Sequence, residues 1–330
     1  MKRTFSLLLI LLFIPIFCAC QPSQDKLAFV LDGTEDDPYA SFLANGFCTA
    51  AEQMGYSCTI EKPANDSSQA QAYVIAHLIR EGVKGIAITP NQVNGLEDII
   101  AEAQNAGIPV ITVSQDAVGS DLLIQPSSID LVGAALMDAI WELCAGDGEF
   151  VVLSGETPFS GMDPWVTGMK AAAMDSKYAK LTWAETNYSY RLDGVEGMKS
   201  LILSLLDKYP DLEVVCCPGV ETLVACCHAV EELGVKLRVT GLSQPARMQN
   251  LVGEERACPY FFLWNPNDIG ACAAHALDAL VKGASLQKEA TLTTGLGEYK
   301  LYPGIHADFY IYAGPPFRFT ADTIANTPIY

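Results

Sequence analysis

The chain has 330 residues, of which 50% are hydrophobic and 18% are charged, and this composition excludes an intrinsically disordered protein. Its length fits about two domains of ~150 residues each. Lys and Arg number 20 against 39 Asp and Glu, giving a net charge of −19, which excludes the basic face that nucleic-acid binding needs. We therefore predict no nucleic-acid partner.

The first predicted element is a signal peptide at residues 1–19. Two basic residues precede an apolar core at 7–17, which is too short for a comfortable membrane span. Ala19-Cys20 resembles a bacterial lipobox, so we predict that Cys20 is lipid-modified and that residues 20–25 form a tether. The predicted location is extracytoplasmic, with the lipid as the only contact with the membrane. Simple cleavage and release is the alternative.

Strand and helix patterns then alternate. Gly55, Gly82 and Gly107 end the first three predicted helices, as glycine commonly does. Such alternation predicts a parallel sheet with helices on both faces. The predicted strands are 27–31, 58–60, 85–89 and 110–113, and the predicted helices are 40–54, 69–80 and 96–106.

The pattern breaks at Gln125-Pro126 and then restarts, which predicts a second, similar α/β lobe. The tail at 310–319 has an extended pattern. After this break the predicted strands are 150–154, 181–184, 214–217, 237–242 and 260–263, and the predicted helices are 131–144, 165–174, 195–208, 223–233 and 269–282.

The chain has 11 cysteines, but it is neither small nor rich in loops as disulfide scaffolds are. Cys216-Cys217 lies in a predicted strand and Cys226-Cys227 in the next helix, without the spacing of a zinc site. We interpret these as buried free thiols. A bridge between Cys48 and Cys58 is left open.

Sequence signatures of catalysis are missing from the chain. It has no GxxxxGK loop, no GxGxxG after the first strand, no HExxH and no GxSxG, and its four histidines are scattered. We therefore predict no enzyme activity, no cofactor and no metal, with an exported enzyme as a remaining alternative.

Polar and aromatic residues instead follow the predicted strands, where parallel sheets bind ligands. Carboxylates and amides suit sugar hydroxyls, and aromatic rings cover the apolar C–H faces of a sugar. Solvated loop residues are the alternative, and Trp264 could instead fill the core between the lobes. The candidate ligand-binding residues are Asp32, Tyr39, Ser114, Gln115, Asp116, Met162, Asp163, Trp165, Arg191, Pro218, Gly219, Ser243, Trp264 and Asn265.

Five segments together resemble the type 1 periplasmic binding proteins that serve as sugar receptors of ABC importers. The two most specific resemble the receptors for rhamnose and furanosyl autoinducers. The segments are PYASFLANGF at 38–47, AEAQNAGIPVITV at 101–113, YPDLEVVCC at 209–217, FFLWNPNDIG at 261–270 and AGPPFRFTADTI at 313–324. Where ribose receptors usually have Asp, this chain has Ser114 and Ser243.

The resemblance implies two similar doubly wound parallel-sheet lobes joined by a three-strand hinge, which close on a small sugar or sugar-like ligand. It implies crossings near Gln125-Pro126, Trp264-Asn265 and Leu301-Tyr302. The first lobe is then 26–125 plus 266–300, and the second is 126–265 plus 301–330. The implied partners of the monomeric chain are the permease and ATPase subunits of an importer. A receptor subunit for a membrane kinase or chemoreceptor is the alternative.

Overall fold

A computed structural model describes residues 24–33, 38–154, 164–187 and 194–326. The predicted signal peptide, Cys20 and most of the tether lie outside these residues, as do the candidates Met162, Asp163 and Arg191. In the described ranges, no helix combines the length and apolar character needed to cross a membrane.

The elements alternate along the chain as predicted. The first group is β1 (Lys26–Val30), α1 (Pro38–Gln53), β2 (Ser57–Glu61), α2 (Ser68–Glu81), β3 (Gly85–Ile88), α3 (Glu97–Asn105), β4 (Val110–Val113) and β5 (Leu122–Gln125). The second group is α4 (Ile129–Leu143), β6 (Gly148–Leu153), α5 (Pro164–Ala172), β7 (Leu181–Asn187), α6 (Gly194–Lys208), β8 (Leu212–Cys217), α7 (Val220–Leu233), β9 (Arg238–Gly241), α8 (Pro245–Met248) and β10 (Phe261–Leu263). The third group is α9 (Pro266–Val281), β11 (Thr291–Thr294), β12 (Gly297–Lys300), β13 (Tyr302–Pro303), β14 (Phe309–Tyr312), β15 (Phe317–Phe319) and α10 (Ala321–Asn326).

The first lobe is built on a seven-stranded sheet in the order β13-β14-β5-β4-β3-β1-β2, parallel except for β13. Successive side chains of β1 enter opposite cores, since side chains alternate along a strand. Leu27 and Phe29 pack with α1 and α9, whereas Ala28 and Val30 pack with α2 and α3. The sheet is therefore covered on both faces.

The second lobe repeats this arrangement on a parallel sheet in the order β7-β6-β8-β9. Val151 and Leu153 of β6 pack with α6 and α7, and Phe150 and Val152 pack with α4 and α5. A bridge from Leu242 to Phe262 adds β10 beside β9, and β15 pairs antiparallel with β10. The prediction of two doubly wound α/β lobes is confirmed.

Three short segments join the lobes. The first two, at 126–128 and at Trp264-Asn265, lie where the sequence predicts crossings. The third does not lie near Leu301-Tyr302, because β14 pairs in parallel with β5 and keeps 302–312 in the first sheet. The chain crosses instead at 313–316, between β14 and β15.

The cysteines divide between one disulfide and buried thiols. Cys48 of α1 and Cys58 of β2 form a disulfide with a Cα–Cα distance of 5.3 Å, so the bridge that the sequence left open is present. The free cysteines among the described residues are all buried, as predicted: Cys144, Cys216, Cys217, Cys226, Cys227, Cys258 and Cys272.

Candidate functional site

A cavity of about 570 Å³ lies between the lobes. The first lobe contributes the start of α1, and the second contributes the start of α5 and the segments after β8, β9 and β10. These segments follow the carboxyl ends of strands, which is where parallel α/β sheets bind ligands. The lining residues are Pro38, Tyr39, Trp165, Pro218, Gly219, Val220, Leu242, Gln244, Leu263 and Trp264.

A larger cavity of about 690 Å³ lies at the opposite end of the second lobe, around the end of α7 and the start of β9. Its lining comes from one lobe and includes the exposed charged residues Lys236, Arg238 and Glu255. Closure of the lobes would not change such a cavity. We therefore take the interlobe cavity as the candidate site.

Three aromatic side chains surround the interlobe cavity. Tyr39 comes from the second residue of α1 and Trp165 from the second residue of α5, so helix starts position both. Trp264 follows β10 at the second crossing, and its ring centroid lies 6.2 Å from that of Trp165 at an angle of 47°. Aromatic rings in this arrangement can stack on an apolar sugar face.

Two of the candidate residues, Ser114 and Ser243, have buried hydroxyls at strand ends, although neither residue lines the interlobe cavity. The Oγ atoms of Ser114 and Ser243 are buried and have no hydrogen-bond partner among the described residues. Ser114 has a φ of 65°, which is uncommon for a residue with a side chain. Because buried polar groups are normally paired, these hydroxyls are available to a ligand or to water.

The sequence analysis did not identify three further buried polar atoms that also lack a hydrogen-bond partner among the described residues. The Thr89 and Ser127 hydroxyls and the Asn91 amide nitrogen are buried with no hydrogen-bond partner in the described ranges. Thr89 and Asn91 follow β3, and Ser127 lies in the first crossing. A position after a predicted strand is the signal that identified Ser114, so a scan of strand ends would have found Thr89 and Asn91. Ser127 follows β5, which the sequence analysis did not predict.

Asp116, which the sequence placed with the ligand-binding residues, makes a structural contact with a distant part of the chain. Its Oδ1 accepts a hydrogen bond of 3.0 Å from the backbone N–H of Ala307, in the loop between β13 and β14. The neighbouring Gln115 is exposed. Neither residue lines the interlobe cavity. Asp32 is partly buried just after β1, and its place at a ligand stays a prediction.

Asn265 lies at the hinge. Its side chain caps α9, because Oδ1 accepts a hydrogen bond of 3.1 Å from the backbone N–H of Asn267. A further cavity of about 360 Å³, the hinge cavity, is lined by Pro126, Trp264, Asn265, Asp268, Ile269 and the segment 313–318. Trp264 therefore lines both the interlobe cavity and the hinge cavity.

The cationic group of the hinge cavity is already paired. Arg318 Nη2 donates to both carboxylate oxygens of Glu142 at 2.9 and 2.8 Å, and the guanidinium lies 4.2 Å from the Tyr260 ring centroid. The hydrogen bond from Arg318 lowers the pKa of Glu142. The described parts of the chain hold no group of three or more His, Cys, Asp or Glu side chains that could bind a metal ion.

Known proteins resemble this chain over most of its length. The ribose import binding protein RbsB of Bacillus subtilis is 24% identical over 301 residues, covering 87% of this chain and 96% of that protein. An ABC transporter solute binding protein from Clostridium phytofermentas with bound L-rhamnose is 28% identical, covering 92% and 98%, with a TM-score of 0.53. A sugar ABC transporter protein from Actinomyces odontolyticus is 23% identical, covering 92% of this chain and 98% of that protein, and it has the same fold with a TM-score of 0.72. The model of the periplasmic binding protein domain matches residues 27–285, so this chain belongs to that family and has its type 1 fold.

Proposed function

We propose that this chain is the solute-binding component of a sugar ABC importer. The observation that carries the proposal is the interlobe cavity, to which the first lobe contributes Tyr39, the second lobe Trp165 and the second crossing Trp264. A ligand held there contacts both lobes and stabilises the closed arrangement over the open one. The names of the relatives support the same role, since they bind or import sugars. We infer that the chain binds without chemical turnover.

The described lining of the cavity suits a sugar with a sizeable apolar face. Gln244 supplies the one side-chain amide among the described lining residues, and the rest of that lining is largely apolar or aromatic. The protein with bound L-rhamnose, a 6-deoxy sugar, is 28% identical to this chain. We propose a deoxyhexose as the ligand, with Tyr39, Trp165 and Trp264 covering its apolar face.

A matched pair of sugars tests this function. L-Rhamnose and L-mannose differ only in the hydroxyl at carbon 6, so calorimetry with both isolates the effect of that group. An unpaired hydroxyl in an apolar environment costs about 1–3 kcal/mol, so we expect L-rhamnose to bind about 5- to 150-fold more tightly than L-mannose. Equal affinities would contradict the deoxyhexose assignment. Absence of binding to a broad panel of sugars, together with absence of co-purified sugar by mass spectrometry, would contradict sugar binding itself.

We also propose that lipid-modified Cys20 anchors the mature chain outside the cytoplasm, where a monomer delivers its ligand to permease and ATPase subunits. The support is the sequence around Ala19-Cys20 and the family of the chain. Cys20→Ser should move the protein from the membrane fraction into the soluble fraction, as seen by fractionation and immunoblotting. A wild-type chain that is already soluble would rule out the anchor.

A further inference from the structure

Gln244 places a side-chain amide on the wall of the interlobe cavity. It follows β9 in the second lobe, and it is exposed. It stands at the N-cap of α8, but its side chain makes no capping hydrogen bond and has no other hydrogen-bond partner within the described ranges. Glutamine is not among the side chains that favour an N-cap, which are those of Ser, Thr, Asp and Asn. The amide is therefore available to a ligand.

The backbone around Gln244 is held in place although its side chain is not. The N–H groups of Leu242 and Ser243 donate to backbone carbonyls of β8 and β10 at 3.1 and 3.2 Å, and the carbonyl of Gln244 accepts a hydrogen bond of 3.0 Å from the N–H of Arg247. Pro245 favours extended geometry in the residue before it, and Gln244 has φ −81° and ψ 137°. A ligand at this amide therefore has to order one side chain rather than a loop, which lowers the entropic cost of binding.

The rest of the lining leaves few alternatives for recognising hydroxyls. None of the described lining residues carries a charge. The nearby cation, Arg247, donates Nη1 and Nη2 to the two carboxylate oxygens of Glu221 at 2.8 and 2.9 Å, and neither of these residues lines the cavity. The aromatic residues of the lining offer single N–H or O–H groups, whereas an amide has N–H donors and an acceptor side by side. Gln244 is thus suited to a pair of neighbouring hydroxyls.

We propose that Gln244 determines which sugar the protein selects, by binding two adjacent ring hydroxyls of the ligand. This inference rests on the proposed function and adds to it the residue that recognises the configuration of the sugar. The amide N–H donates to one hydroxyl, and the amide oxygen accepts from its neighbour. Closure of the lobes removes water from the amide, so an epimer with one hydroxyl turned away leaves a donor or the acceptor unpaired.

Two epimers of L-rhamnose test the proposal. 6-Deoxy-L-glucose differs from L-rhamnose only at carbon 2, and 6-deoxy-L-talose differs only at carbon 4. Every adjacent pair of ring hydroxyls in L-rhamnose includes the one at carbon 2 or the one at carbon 4, so at least one epimer must lose a hydrogen bond to the amide. We expect calorimetry on the wild-type chain to show a preference of about 5- to 150-fold for L-rhamnose over at least one epimer.

A matched pair of variants assigns this preference to one side chain. Gln244→Met keeps the length of the side chain and removes the amide, so it should lower the preference for L-rhamnose over that epimer by about 5-fold or more. Gln249→Met is the control, because Gln249 directly follows α8, is exposed and does not line the interlobe cavity. It should keep the wild-type preference. Both variants should keep the melting temperature of the wild-type chain, since both side chains are exposed.

The outcomes separate this inference from the proposed function. A wild-type chain that binds none of a broad panel of sugars contradicts both, whereas one that binds another sugar but none of these three contradicts the inference alone. The inference is also overturned if the wild-type chain binds both epimers as tightly as L-rhamnose, or if Gln244→Met keeps the full preference. Equal weakening of all three sugars by Gln244→Met would overturn it as well, because the residue would then hold the ligand without distinguishing its hydroxyls. The same holds if Gln249→Met changes the preference as much as Gln244→Met does.

Discussion

Trp264 occupies the position at which ligand binding and lobe packing meet. Its ring lines both the interlobe cavity and the hinge cavity, and it packs at the margin of a core cluster in each lobe. The two roles that the sequence left open, ligand contact and interlobe packing, are thus compatible with one geometry. Measurements of binding and of folding are needed on the same variant to separate them.

Trp264→Ala should weaken sugar binding by about 30- to 1000-fold. The loss of a ring from the centre of an interface typically costs about 2–4 kcal/mol, which corresponds to that range of affinity. Calorimetry with L-rhamnose, the proposed type of ligand, gives the dissociation constant, and circular dichroism gives the fold. Trp183→Ala is the control, because Trp183 packs on Phe150 with ring centroids 5.2 Å apart and does not line the interlobe cavity. Normal folding with unchanged affinity would remove Trp264 from the ligand site.

We expect His275 of α9 to make the first lobe sensitive to acid. Its Nδ1 is buried with no hydrogen-bond partner among the described residues, and burial lowers the pKa of the imidazole, although Asp278 opposes this and Lys282 adds to it. The unfolded chain then binds more protons than the folded chain near the usual His pKa of about 6.5, so stability falls as pH decreases through that value.

We predict that the thermal stability of the protein falls at acidic pH, and that replacing His275 with a side chain that cannot be protonated makes this fall smaller. We expect the melting temperature to fall between pH 7.5 and 5.5, and His275→Gln to flatten this dependence. His77→Gln is the matched control, because the His77 side chain is 55% exposed beside Glu81. If both variants keep the slope of the wild-type chain, another group is responsible for the acid sensitivity.

Residues that line the interlobe cavity were predictable from sequence only as far as the ends of strands and the starts of helices could be identified. Tyr39, Trp165 and Trp264 follow recognisable patterns and do line the cavity. Asp116 was assigned by the same rule, but its contact with Ala307 joins residues 191 positions apart. No local pattern encodes such a contact.

At the scale of elements, close helix crossings on glycine occur in both lobes. In the first lobe, a Cβ on Gly46 of α1 would lie 2.1 Å from the backbone O of Asn267, and a Cβ on Gly270 of α9 would lie 2.0 Å from that of Leu43. In the second lobe, Gly133 of α4 faces the backbone of Gly168 of α5 in the same way, at 2.1 Å. These glycines let each helix pair approach until backbones touch.

Gly46→Ala should therefore destabilise the protein although alanine favours helices. Overpacking typically costs about 1–3 kcal/mol, and here the obstacle is backbone that cannot change rotamer. Chemical denaturation should show a fall of about 2 kcal/mol or more in the free energy of unfolding. Gly253→Ala is the control, because its Cβ would meet the nearest atom at an ordinary 3.5 Å and stability should hardly change. Equal stability of the two variants would show that the helices can separate without loss.

Helices were easier to predict than strands for a physical reason. In the long amphipathic helices the hydrophobic residues recur with a clear helical period. Gly82 and Gly234, which end α2 and α7 in the left-handed conformation, also mark helix ends in the sequence. β5 follows β4 without an intervening helix, so it does not fit the alternating pattern and was missed, as was the hairpin of β11 and β12. The third crossing was misplaced because the pairing of β14 with β5 depends on residues far apart in the chain.

At the scale of the whole molecule, three short crossings allow the lobes to rotate with little change inside either core. Small-angle scattering should show a smaller radius of gyration when the sugar is bound, because closure brings the two lobes together. The titration is run at sugar concentrations well above the dissociation constant found by calorimetry. A radius that stays constant under confirmed saturation would mean that the ligand binds without closure.

The packing of α9 on α1 also bears on the order in which we expect the lobes to fold. α1 ends at Gln53 and α9 begins at Pro266, so most of the second lobe lies between two helices that share one core. The second lobe, in contrast, draws most of its core from the continuous stretch between Ile129 and Leu263. Because contacts between distant parts of a chain form slowly, we expect the second lobe to fold first. The first lobe of a nascent chain could not complete its core until the last quarter of the chain, which contains α9, is available. This delay suits a protein that crosses a membrane before it folds.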